Sequence, residues 1–189
     1  MNGRRGLARL ILAVALGGAG CGSAAAPAPT PLPAASDGPQ FAAGWCASMQ
    51  AMFRAIGNPD TAADSELSAA LDDAITLADY SGAERLAAMI QADLTIGRRH
   101  AESAAGWPPG ATMARHVDSV LAAFSAMIEA KRTAARDGLP AADGRGQAAF
   151  EAAGGVEAWY AMLEAARTLP PEVMTLIGGC RFEEDPTAS

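Results

Sequence analysis

Residues 113–128 read Met-Ala-Arg-His-Val-Asp-Ser-Val-Leu-Ala-Ala-Phe-Ser-Ala-Met-Ile, and this stretch decides the fold class. Its apolar residues Met113, Val117, Val120, Leu121, Phe124, Met127 and Ile128 return every three or four positions. A helix of 3.6 residues per turn gathers all of them on one broad face, whereas an alternating strand would scatter them over both. Asp137-Gly138 closes the run, glycine being the commonest residue just past a helix C-terminus.

Working upstream, Trp107-Pro108-Pro109-Gly110 is a clear break, and Leu86, Met89, Ile90 and Leu94 mark a helix before it. Ser81-Gly82-Ala83-Glu84 has the spacing of a capping box and is expected to start that helix. Leu67, Leu71, Ile75 and Ala78 form a narrower stripe over Thr61 to Asp79. Phe41, Trp45, Met49, Met52, Phe53 and Ile56 give the first helix, stopped by Gly57-Asn58-Pro59-Asp60.

Downstream, Leu139 to Gly146 is read as a loop rich in Gly and Pro, followed by a short helix around Phe150 that Gly154-Gly155 interrupts. Val156, Trp159, Tyr160 and Leu163 begin another helix, which Pro170-Pro171 ends. Glu172 to Ile177 is expected to be a last short turn before Gly178-Gly179-Cys180. No stretch shows sustained period-two alternation with β-branched residues. The expected fold is all-α, an antiparallel bundle of four to six helices over residues 41–182, with an acidic tail at 183–189.

The N-terminus has a different character. Arg4, Arg5 and Arg9 precede the apolar run Leu10 to Leu16, and Gly18-Ala19-Gly20 lead into Cys21. A basic region, a short apolar region and a small-residue cleavage zone make a secretory signal peptide. With cysteine directly after the small residues, the segment resembles the lipobox of bacterial lipoproteins, though Gly18 stands where that family usually has leucine. The resemblance implies removal of residues 1–20, acylation of the Cys21 thiol, and anchoring at the cell membrane on its extracytoplasmic face. Cleavage near Ser23-Ala24-Ala25 would instead leave a secreted protein. The apolar run is far short of the ~20 residues that span a bilayer. Residues 21–40, rich in alanine and proline, are expected to be a disordered tether.

The formal net charge of the 189 residues is −7. Residues 1–20 hold three of the 14 basic residues and no acidic ones, so the remainder has 11 basic against 21 acidic, or −10. That balance excludes nucleic acid and an anionic lipid surface as direct partners, leaving the lipid on Cys21 as the link to the membrane. Three cysteines leave one odd thiol in an exported protein. With Cys21 lipidated, Cys46 and Cys180 remain to pair across 134 residues, or else persist as two buried thiols.

Residues that could carry chemistry are few. His100 and His116 each stand eight residues from Pro108, so a helical hairpin turning there sets them opposite one another. With Glu102 or Asp118 they could seat a metal; the competing reading is two solvated histidines. Asp72-Asp73 is a carboxylate pair whose members point to different sides of a helix. Gly144-Arg145-Gly146 is no more than a turn. Met49, Met52, Met113 and Met127 are core filler or the lining of an apolar pocket. Nucleophile elbows, zinc-protease helices and phosphate loops are absent from the sequence. The expectation is a lipid-anchored, non-catalytic protein with no catalytic residue, metal or cofactor, in a binding or envelope-associated role whose partner is an envelope protein or a small hydrophobic ligand. The alternatives are a carrier or sensor of a small hydrophobic ligand between helices and, third, an enzyme of unfamiliar type.

Overall fold

A computed structural model describes residues 31–58, 63–139 and 142–181. The signal segment, Cys21, the first half of the tether, the Pro59-Asp60 helix stop and the acidic tail lie outside these residues. Seven helices follow one another: α1 (Gly38–Ile56), α2 (Glu66–Thr76), α3 (Tyr80–Ala104), α4 (Ala111–Arg136), α5 (Ala142–Ala152), α6 (Gly155–Ala166) and α7 (Pro171–Gly178). Strand among the described residues is confined to an antiparallel pair, β1 (Gly57–Asn58) with β2 (Ala63–Asp64). The molecule is an all-α helical bundle, and the described residues form seven helices where four to six were expected. No described helix is long and apolar enough to cross a membrane.

α1 starts three residues before its apolar stripe because the cap precedes it. The Asp37 carboxylate accepts the Gln40 N–H at 2.9 Å, and Pro39 occupies the first turn. Upstream, the Ala35 N–H donates to the Ser103 carbonyl at 2.9 Å and the Ser103 hydroxyl donates to the Pro33 carbonyl. The expected disordered tether therefore fails over its last part. Residues 33–35 are hydrogen-bonded to the end of α3, and 38–40 are helical.

The start of α3 is also corrected. Asp79, not Ser81, is its N-cap, accepting the Gly82 N–H at 2.9 Å. That leaves Ala78 to close α2 in the left-handed region, at φ 57, with the Asp79 N–H bonded back to the Ala74 carbonyl at 2.8 Å. Glycine is the usual residue in such a closing turn. α2 has its own cap: the Ser65 hydroxyl accepts the Ser68 N–H at 3.0 Å and donates to the Ala55 carbonyl at the end of α1.

α3 and α4 form the antiparallel hairpin, turning through one 3-10 turn at Pro108–Gly110. Three polar links tie the pair at regular intervals. Glu84 bonds to Arg132, the Gln91 amide donates to the Ser125 carbonyl, and Arg98 donates to Asp118. The positions advance by seven along α3 as they fall by seven along α4, the register of an antiparallel pair packed with a heptad repeat. Between the links, Ala87, Ile90 and Leu94 of α3 and Val120, Leu121, Phe124 and Ile128 of α4 are buried in one core, which Ala101 and Val117 continue past Arg98–Asp118.

α1 crosses α3 at Gly97. A Cβ there would come within 3.2 Å of Ala51, Leu121 and the Ser48 carbonyl, so the missing side chain lets the backbones approach. The buried Ser48 hydroxyl fills the junction, 2.9 Å from the Gly44 carbonyl and 3.0 Å from that of Gly97. On the other side of α4 lie α5 and α6, with Phe150 of α5 against Phe124 at 4.6 Å between ring centres. The loop expected up to Gly146 is helical from Ala142, because packing overrides weak propensity. Gly146 lies so close to Met127 and Lys131 that a Cβ would reach both at 3.1 Å. The turn expected at Glu172 to Ile177 is the eight-residue α7.

Candidate functional site

Cys46 on α1 and Cys180 just past α7 stand at disulfide distance, with Cα atoms 5.8 Å apart. The pairing expected from cysteine parity is the one the fold brings together. Both residues are half-buried, and Cys180 sits between exposed Gly179 and Arg181. At the opposite end of α7, Val173 is buried against Gly38, beside the contact of Phe41 with Trp107 at 5.2 Å between ring centres.

The histidines do not form a metal centre. The hairpin turns at Pro108 as expected, but helix phase decides which side chains meet. Arg98 and Asp118 face across the seam at 2.7 Å, while His100 is two residues further and about 200° around the α3 axis. His100 lies on the α1 side, with its backbone carbonyl near Gly44. Its imidazole is held below the ordinary histidine range, first by burial and then by the cations Arg99 and Arg54. Among the described residues no three His, Cys, Asp or Glu side chains gather into a metal-holding group. Arg98, in turn, is pushed above the ordinary guanidinium range, chiefly by its hydrogen bond to Asp118.

Asp72 and Asp73 part company, as adjacent helical positions must. Asp73 is exposed, while Asp72 accepts from the Lys131 ammonium at 2.7 and 2.8 Å. Lys131 is the one lysine of the chain and is only 7% exposed, so this pair links α2 to α4 within the bundle. Sequence reading had no signal for it, since neither residue belongs to a motif.

Met49, Met52 and Met113 are buried in the core and Met127 packs against it. None of them lines the groove of about 260 Å³ at the α4–α5 end, which Glu129, Thr133, Asp137, Leu139 and Arg145 border. Gly144-Arg145-Gly146 belongs to α5 rather than to a turn, and Arg145 stands at that groove's edge.

The outward side of α6 carries exposed apolar residues. Ala158 and Met162 face the core, while Val156, Tyr160 and Leu163 are 37%, 67% and 46% exposed. At 100° per residue these three fall within about 60° of one another, opposite the buried side. Exposed Glu157 and Glu164 flank them. Sequence reading had assigned Val156, Tyr160 and Leu163 to the helix without separating the two faces.

No family model, no curated protein and no solved structure matches this chain.

Proposed function

We propose that the protein is a lipid-anchored, extracytoplasmic helical bundle with a non-catalytic binding role at the cell envelope. The observation that carries this reading is cysteine pairing. Cys46 and Cys180 stand together, which leaves Cys21 as the odd cysteine, at the position where the lipobox resemblance requires an acylated thiol. A disulfide between the other two fits an oxidising compartment.

The binding part of the reading rests on α6. Its apolar stripe with an acidic flank suits a protein partner offering an apolar groove edged by basic residues, an amphipathic-helix mode of recognition. A carrier of small hydrophobic ligands would need an enclosed apolar pocket, and the methionines suited to line one are spent in the core.

Native mass spectrometry of the protein extracted from its own membrane tests both parts. The expected result is an N-terminal cysteine carrying acyl chains, with a bound protein that Tyr160→Ser plus Leu163→Ser releases. An unmodified Cys21 removes the anchor. A bare protein, unchanged by the double substitution, removes the binding role.

A further inference from the structure

The shortest helix, α7, is fixed to the bundle at two points. Near its start Val173 fills the space beside Gly38, where a Cβ would come within 2.7 Å of a Val173 methyl and 3.6 Å of the Trp107 ring. Past its end, Cys180 meets Cys46. The positions on α1 (38, then 46) and in the α7 segment (173, then 180) advance together, so α7 lies along the first half of α1 and runs in the same direction. α1 is its principal neighbour.

Two of the eight residues of α7 are buried, Val173 and Ile177, while Met174 and Leu176 are 37% and 46% exposed. A helix this short is well below the ~12–15 residues at which isolated helices persist in water. Its order therefore depends on the two buried side chains and on the covalent tie. Cys180 is half-buried and stands beside exposed Gly178, Gly179 and Arg181, the side from which a thiolate would approach the bridge.

We propose that α7 is a redox-latched strap: a dithiol reductant that opens Cys46–Cys180 releases residues 171–181 from α1 and uncovers the Phe41–Trp107 contact, while the rest of the bundle stays folded. A thiolate of the dithiol attacks the Cys180 sulfur and the Cys46 thiolate leaves. The second thiol of the reductant then closes on the mixed disulfide and frees Cys180. Two electrons and two protons pass to the protein, and the dithiol ends as its own disulfide. The remaining bundle keeps its own core, because Leu94, Leu121 and Ile128 pack between α3 and α4 and do not depend on α7. The strap operates whether or not Cys21 carries lipid.

Hydrogen exchange on the purified chain, with and without excess dithiothreitol, tests the latch. Amides of 173–180 are expected to lose protection by about tenfold or more on reduction, while those of α3 and α4 keep theirs. The Cys46→Ser/Cys180→Ser double variant should show the same pattern without reductant. Unchanged protection of α7 overturns the proposal, and so does simultaneous loss of protection in every helix. Gly38→Ala probes the other pin in the oxidised protein. Displacing Val173 should raise exchange in the first turn of α7 with the bridge still closed, and identical exchange there would overturn the two-point attachment.

Discussion

Along the α3–α4 hairpin, polar links recur at Glu84–Arg132, Gln91–Ser125 and Arg98–Asp118, and a continuous file of buried side chains lies between them. Along α7 there are two buried side chains and one bridge. The α3 and α4 helices run 25 and 26 residues, against eight for α7. The hairpin distributes its stabilisation over many contacts, so losing one lowers the stability of the whole and frees no single part. The strap concentrates it, so losing one tie frees the whole segment and leaves the hairpin alone.

The strongest way to break this contrast is Leu121→Ala. The residue is fully buried at the α3–α4 seam, also beside Gly97, and the cavity should cost about 4 kcal/mol of global stability, read by urea denaturation. Next comes Lys131→Ala, expected to cost about 2 kcal/mol because it removes the two charge-assisted hydrogen bonds that Asp72 accepts from the ammonium. Lys131→Met with Asp72→Leu should recover most of that loss, since a buried ion pair is often replaceable by apolar packing. A double variant as unstable as the single one would show that the charges themselves hold α2 to α4. For the strap, Ile177→Ala should cost about 2 kcal/mol, but only of local opening. Exchange in α7 would rise while the urea midpoint barely moved, and a matching global loss would erase the difference between the regions.

Smaller effects sharpen the comparison. Ala78 holds a left-handed conformation at the entry to α3, so Ala78→Gly should add roughly 0.5–1 kcal/mol. His100 gives the smallest effect. Because its folded pKa is depressed, its contribution is present above the ordinary value of 6.5 and is lost as pH falls through the lower folded value. His100→Gln should flatten that slope, seen as a smaller change in denaturation midpoint above and below pH 6.5.

What was legible in the sequence follows the same division. The hairpin was readable because its broad apolar stripe from Met113 to Ile128 repeats through more than four turns, and the break at Trp107-Pro108-Pro109-Gly110 is chemically unambiguous. Its side-chain partners were not, because a turn position fixes which residues are level but not which faces meet. His100 and Arg98 differ by two residues and by most of half a turn, and that difference replaced a metal site with an ion pair. The start of α3 moved from Ser81 to Asp79 because two good caps lie two residues apart and local spacing does not choose between them. The helix around Phe150 was legible but its first part was read as loop, because Gly144 and Gly146 weaken the propensity of α5 there, and contact with Lys131 and Met127 makes up the difference. Cysteine parity, by contrast, is independent of helix phase, and the two cysteines it named stand at disulfide distance.

The burial of Lys131 sets the chemistry of the protein's cations. The chain's one ε-amine is taken into the ion pair with Asp72, so the positive groups left on the described surface are guanidiniums, with His100 and His116 beside them. Guanidiniums keep their proton to beyond pH 12 and react poorly with acylating reagents. Lysine-directed coupling should therefore stall on the native fold and proceed once it opens, so that label uptake reports unfolding. Alkaline pH would likewise leave the protein's positive surface charge almost unchanged, up to conditions that strip most proteins of theirs.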